Sequence, residues 1–379
     1  MDRTNIERLN AFGQSAWLDN ISRSMIDTGR LKGMIGAGLR GLTSNPSIFD
    51  KSISASADYD ESIRELKNAD RSTFEIYDDL TVRDVRDAAD LFRGVFEESK
   101  GLDGYVSLEV NPKLAFNTRE TIEEAKRLYK KVGRPNLMLK VPSTEEGFEA
   151  IEELTACGIN VNCTLIFSLR QYEKTVRSYM SGIERFLQGG GSASAVRSVA
   201  SVFVSRIDTV ADKMLDQLIQ KEASEKAKEK PSALKGKAAV ANSKLIYKRY
   251  REFSASGEFE RLKAGGANLQ RVLWGSTSAK NPAYSDIKYV SELTGKDTVN
   301  TLPEATFKAF LDHGVIEEGA MSEDNIKKAA DAVNELKGLG IDVDAICEQL
   351  LTDGVAAFEN AFDSLLVSIE KKAKAVYAA

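Results

Sequence analysis

The chain has 379 residues, of which 52 are Lys or Arg and 57 are Asp or Glu; its formal net charge is −5, with three cysteines and a single histidine, His313. One imidazole cannot build a two- or three-histidine metal site and leaves little for acid–base work, so chemistry in this chain falls to other groups. The composition, 42% hydrophobic and 29% charged, is that of an ordinary globular protein, and the slight acidity leaves no basic footprint for nucleic acid or an anionic membrane.

A small-molecule partner is therefore expected. Cys157, Cys163 and Cys347 are odd in number and lack CxxC spacing, which predicts neither a disulfide framework nor a structural zinc and points to a reducing, cytoplasmic setting. The N-terminal residues carry alternating charges without the apolar stretch of a secretory signal. The longest apolar runs, such as that around 196–204, fall far short of the roughly 20 residues a membrane span needs.

In chain order, eight short runs have strand character: 16–21, 39–45, 105–111, 137–141, 159–165, 196–204, 271–275 and 298–301. Between them lie helical periods over 118–132, 144–156, 169–187, 208–228 and 239–253. Ser143-Thr144-Glu145-Glu146 and Asn117-Thr118-Arg119-Glu120 supply helix-start chemistry. Eight such βα units predict a closed (β/α)8 TIM barrel over 1–312. Residues 313–379 are wholly helical in pattern and are expected to pack on the outside of the barrel as additional C-terminal helices. The Lys- and Glu-rich stretch 221–237 reads as a solvated helix end and loop. The Gly189-Gly190-Gly191 run precedes a strand and reads as a loop, not a phosphate cradle.

The informative feature is the direction of polar residues within apolar strands. In Leu137-Met138-Leu139-Lys140-Val141 a period of two sends Leu137, Leu139 and Val141 to one face and Met138 with Lys140 to the other. By the same period Ser107, Glu109 and Asn111 share a face in the third strand, as do Asn160, Asn162 and Thr164 in the fifth. Helices cover the outer face of a βα barrel, so these polar groups must line its interior. Lys140, Glu109 and Asp19 all fall near C-terminal strand ends, where barrel active sites lie. A lysine there can form a Schiff base with a carbonyl substrate, a reaction open to a chain with almost no histidine.

These residues carry a resemblance. The segments Trp17-Leu18-Asp19-Asn20, Gly41-Leu42-Thr43-Ser44-Asn45-Pro46-Ser47-Ile48-Phe49, Ser107-Leu108-Glu109-Val110, Leu139-Lys140-Val141-Pro142-Ser143-Thr144, Ile159-Asn160-Val161-Asn162-Cys163-Thr164 and Ser201-Val202-Phe203-Val204-Ser205-Arg206 are similar to those of transaldolases. Leu351-Thr352-Asp353-Gly354-Val355 with Phe358 also fits the longer bacterial and plant-plastid type. The resemblance implies a class I aldolase barrel that transfers a dihydroxyacetone unit between phosphorylated sugars in the pentose phosphate pathway, without metal or organic cofactor. The exchange would run from sedoheptulose 7-phosphate and glyceraldehyde 3-phosphate to erythrose 4-phosphate and fructose 6-phosphate.

Carried over residue by residue, the resemblance implies that Lys140 is the Schiff-base lysine. Glu109, with a water held by Thr164, shuttles protons, and Asp19 takes the C4 hydroxyl proton. It further implies substrate contacts at Thr43, Asn45, Asn162, Ser201 and Phe203, and phosphate contacts at Arg206 and Ser276. Where the shorter branch has a second arginine, this chain reads Ser276-Thr277-Ser278-Ala279-Lys280-Asn281-Pro282, and Lys280 stands as the replacement cation.

A homodimer is compatible with this reading. Alternatives are a fructose-6-phosphate aldolase-like lyase, which resembles this chain less at Glu109 and Phe203, and a phosphosugar-binding barrel without turnover. His313 reads as a helix-end residue outside the site, and Cys163 as a core residue facing outward. Asp58, Asp60 and Glu61 lack the glycine a calcium loop requires, because Ile63 stands in its place.

Overall fold

A computed structural model describes residues 3–222 and 224–378. Eight parallel strands close into a barrel in chain order: β1 (Gln14–Asp19), β2 (Leu42–Thr43), β3 (Val106–Glu109), β4 (Leu137–Pro142), β5 (Val161–Ile166), β6 (Ser198–Phe203), β7 (Arg271–Gly275) and β8 (Thr298–Leu302). Helices occupy every connection, and among the described residues none is long and apolar enough to cross a membrane.

The period-two reading holds. Val106, Leu108, Leu137, Leu139 and Val141 pack outward in the large core between sheet and helices. Trp17, Met138, Val199, Leu273 and Val299, with Tyr105, form a separate apolar plug inside the barrel. Above that plug the inward positions turn polar. Parallel registers set Asp19 beside Thr43, Thr43 beside Ser107, Glu109 beside Lys140 and Lys140 beside Asn162. An apolar floor beneath a polar mouth places the chemistry at the C-terminal strand ends.

Strand and helix boundaries follow local chemistry. Asn117 caps the helix Thr118–Val132 through Glu120 N, and Thr144 caps the helix Glu145–Ala156 by accepting from Gly147 N at 3.0 Å. Gly147 sits so close behind β4 that a Cβ there would lie 1.9 Å from the Pro142 carbonyl oxygen; only glycine fits. β1 begins at Gln14, ahead of the apolar run, because the Gln14 amide is itself buried, donating to Leu293 O and Thr298 Oγ1. β2 is only two residues long, since Asn45 leaves the ladder to cap the helix Pro46–Ala55.

Two expectations are corrected. The stretch 221–237 is not a mere helix end and loop, for it contains a second helix, Glu225–Leu234, after the helix Ser205–Lys221. Pro231 and Leu234 are buried, so packing offsets the hydrogen bond that the proline cannot donate. Ala223, within the expected 208–228 helix, lies outside the described residues. Nor do the C-terminal helices pack only on the outside. The final helix, Val343–Ala378, lies against the helices Pro46–Ala55, Asp60–Asn68, Thr73–Leu91 and Ser205–Lys221 and reaches β5.

Candidate active site

A cavity of about 810 Å3 opens at the C-terminal strand ends, and every strand except β3 contributes a lining residue. Lys140 is 4% exposed and lies inside it. Its Nζ donates to the Ser44 carbonyl oxygen at 3.1 Å and sits 5.8 Å from the centroid of the Phe358 ring. Glu109 Oε2 is 3.3 Å from the same nitrogen, at ion-pair distance but without hydrogen-bond alignment, and that oxygen has no hydrogen-bond partner among the described residues. Burial pushes the Glu109 carboxyl up from its ordinary value; Lys140 opposes the shift and Asp19 adds to it.

Asp19 closes β1 at the cavity wall. Its enclosure by protein pushes its carboxyl up, against the pull of Lys140, a hydrogen bond from Thr43, and the charges of Lys280 and Arg206. Thr43 Oγ1 donates to Asp19 Oδ1 at 2.8 Å and lies 2.8 Å from Thr301 Oγ1. With the Thr43 proton given to Asp19, Thr301 donates to Thr43, which forms a relay around the carboxylate. The two carboxyl groups thus occupy different surroundings, Asp19 hydrogen-bonded at the wall and Glu109 buried beside the amine.

Thr164 lines the cavity, is fully buried, and has an Oγ1 without a hydrogen-bond partner among the described residues. Just beyond it the β5 register shifts between Cys163 and Ile166, and Leu165 takes a φ of 58°. A bulge and a left-handed leucine together mark strain stored at the mouth. Cys163 faces the outer core, fully buried, near Ser198 Oγ and Gln270. All three cysteines are free thiols.

The opposite wall is cationic. Arg206, the second residue of the helix Ser205–Lys221, is half-buried with its guanidinium carbon 5.4 Å from the Phe203 ring centroid. Among the described residues that guanidinium makes no hydrogen bond or ion pair. Burial lowers its pKa, and Asp19 and Asp353 oppose the change. Ser276 follows β7 with a φ of 54°, its Oγ 3.1 Å from Ser205 Oγ. Lys280 is exposed on the same rim, its Nζ donating to Ser278 Oγ at 2.7 Å.

Ser201, Phe203 and Asn45 also line the cavity. Two residues expected as sugar contacts also bond within the protein. Asn162 is fully buried beneath the cavity, its Nδ2 donating to Ser107 Oγ at 3.0 Å and its Oδ1 accepting from Ser201 Oγ at 2.6 Å, so it also positions Ser201. Asn45 Oδ1 accepts from Ile48 N at 3.0 Å as a helix cap, and its amide NH2 is left to donate to a ligand. Asn111 and Asn160 leave the polar face altogether, one capping the turn Pro112–Leu114 and the other bonding the Pro135 and Leu137 carbonyls.

Three contributors were not expected: the Ser44 carbonyl, Thr301 and Phe358. Thr301 was legible, because its parity with inward Val299 puts it on the inner face of β8. His313 ends the helix Glu304–His313, exposed between Asp286 at 3.0 Å and Asp312 at 3.1 Å, and lines no part of the cavity.

A buried lysine, two carboxyl groups in unlike surroundings, an unpartnered threonine hydroxyl and an unpaired, half-buried arginine across the cavity can together form a covalent imine, move protons and hold an anion. The family model described as Transaldolase/Fructose-6-phosphate aldolase matches residues 16–369. The chain is 46% identical over 365 residues to a transaldolase of Trichodesmium erythraeum, covering 96% of each chain. It is 42% identical over 378 residues to transaldolase 2 of Nostoc punctiforme, covering 99% of each, and 40% identical over 366 residues to a transaldolase of Neisseria gonorrhoeae, covering 97% and 99%.

Proposed function

Because the chain belongs to the transaldolase/fructose-6-phosphate aldolase family, we propose that it acts as a transaldolase, moving a dihydroxyacetone unit from a ketose phosphate to an aldose phosphate through an imine on Lys140. The observation that carries this reading is the pairing of a buried, inward Lys140 with Glu109 at 3.3 Å, opposite an Arg206 whose guanidinium has no hydrogen-bond or ion-pair partner among the described residues. The near-complete match to relatives named transaldolase supports transfer over simple cleavage.

In this reading the neutral Lys140 amine adds to the C2 carbonyl of fructose 6-phosphate or sedoheptulose 7-phosphate. Loss of the C2 oxygen as water is helped by Glu109 through a water shared with Thr164, whose Oγ1 is otherwise unpartnered. The protonated imine then draws in the C3–C4 bonding pair while Asp19, held by Thr43, takes the C4 hydroxyl proton. An aldose phosphate departs and an enamine stays on Lys140. Attack of that enamine on a second aldehyde, with Asp19 returning its proton to the new hydroxyl, forms the product ketose, and imine hydrolysis frees the amine. Arg206, Ser276 and Lys280 hold the phosphate, with Arg206 offering a planar fork and Lys280 a point charge. Cytoplasmic placement, an assembly of two copies, and the division into a barrel of 1–312 and an extension of 313–379 belong to the same reading.

The test is transfer from fructose 6-phosphate to erythrose 4-phosphate by the wild-type chain and by Lys140→Ala. Sedoheptulose 7-phosphate should form only with the wild type and only when both substrates are present. Its formation by the folded Lys140→Ala variant would contradict the mechanism.

A further inference from the structure

An enamine waiting on Lys140 has two fates. It can attack an aldehyde, or take a proton at carbon, after which water adds to the imine carbon and the carbinolamine collapses to free dihydroxyacetone and the lysine amine. Around Lys140 most side chains are polar, and one large ring is not. Phe358 lines the cavity, is 5% exposed, and lies with its ring centroid 5.8 Å from Lys140 Nζ. It stands edge-on to Phe203 at 6.4 Å, and Phe203 stands edge-on to Phe167 at 5.4 Å. Three rings thus build an apolar wall beside the reacting nitrogen, and the one nearest that nitrogen comes from the final helix, not from the barrel.

The helix is built to bring that ring in. One turn before Phe358, Gly354 faces the barrel so closely that a Cβ would lie 3.1 Å from Leu165 Cδ2, 3.6 Å from Phe167 Cε2 and 3.7 Å from Arg206 Nη1. Beyond Phe358 the helix is pinned to the second βα unit: Ser364 and Ser368 donate to Asp50 at 2.8 and 2.9 Å, and Lys372 donates to the Ser56 carbonyl at 2.7 Å. The ring is therefore fixed from both sides.

We propose that Phe358 is a specificity-determining residue that shields the enamine carbon on Lys140 from proton-donating water, so that the three-carbon unit passes to an aldehyde instead of being protonated and released. This inference rests on the Schiff-base reading of Lys140. A ring that cannot hydrogen-bond, placed against the enamine, leaves no site for a proton-donating water on its side, while the water shared by Glu109 and Thr164 remains for imine formation and hydrolysis.

The experiment measures the ratio of dihydroxyacetone release to erythrose 4-phosphate transfer, with fructose 6-phosphate as donor, alongside borohydride trapping and thermal melting. Phe358→Ala should raise the ratio about tenfold, a difference of about 1.4 kcal/mol between the two barriers. Phe358→Tyr, close in size to the native ring, should raise it at least about threefold by bringing a hydroxyl that can hold water. Phe362→Ala, on the same helix but packed on Tyr77 at 5.1 Å, should lower the melting temperature and leave the ratio unchanged. An unchanged ratio in a folded Phe358 variant that still traps on Lys140, or an equal rise in Phe362→Ala, overturns the proposal. Absence of any adduct on wild-type Lys140 overturns the Schiff-base reading beneath it.

Discussion

Replacing Thr164 with valine should make the protein more stable and less active at once. Valine keeps the β-branch that suits a strand and exchanges a hydroxyl for a methyl of nearly equal volume. Thr164 is fully buried and its Oγ1 has no hydrogen-bond partner among the described residues. A buried hydroxyl in that state costs about 1–3 kcal/mol, of which a bound water recovers part, so a gain near 1–2 kcal/mol is expected. With an unfolding entropy of about 2.1 cal/mol/K per residue, a chain of 379 residues would gain only about 1–3 °C in Tm. Loss of the water that carries protons to Glu109 should lower kcat about 100-fold, the lower bound for a general acid–base contribution. Differential scanning calorimetry and the transfer assay measure the two effects, and the borohydride-trappable adduct should appear more slowly in step with kcat. A Tm several degrees lower together with lost activity would assign Thr164 a structural role, and a kcat within about threefold of wild type would remove it from the proton path.

The other predictions address charge. Asp208 is 2% exposed, accepts from Ala239 N at 2.7 Å and Tyr289 OH at 2.8 Å, and faces Asp212 and Lys288; burial pushes its carboxyl from 3.8 up to about 6. Because the folded value is raised, the stability it contributes is complete below about pH 4 and is lost as pH rises through about 6. Asp208→Asn can keep the bond from Ala239 N and reverse the other, its Nδ2 donating to the Tyr289 hydroxyl oxygen, so it should stabilise the chain by up to about 3 kcal/mol at pH 7–8 and show no such gain at pH 4, read from urea denaturation across that range. A difference that does not change with pH would refute this assignment. Arg206→Lys should raise KM for fructose 6-phosphate about tenfold with a smaller change in kcat, because a point charge replaces the fork. An equal rise in KM for a donor without phosphate would show that Arg206 does not read the phosphate.

The barrel and the core of the site were legible because period-two alternation is local: five residues around Lys140 suffice to turn it inward, and Glu109 follows from its own strand. Thr301 obeys the same rule and could have been named. Asn162 shows the limit of parity. It points inward as expected, but Ser107 and Ser201 from neighbouring strands occupy both ends of its amide, and no local pattern reports that. Phe358 lies farther still from local reading, since its place depends on a helix from the far end of the chain docking through Gly354 onto β5 and Arg206. The helix Glu225–Leu234 was missed because its charges and Pro231 argue for a loop, while burial of Pro231 and Leu234 decides for a helix.

The central claim is a covalent imine on Lys140, and borohydride reduction in the presence of fructose 6-phosphate, followed by peptide mass spectrometry, tests it most directly. One dihydroxyacetone-derived adduct is expected, on the peptide containing Lys140, and it should disappear when erythrose 4-phosphate is added before reduction. An unmodified Lys140 at saturating donor, or an adduct on another lysine, would contradict that claim.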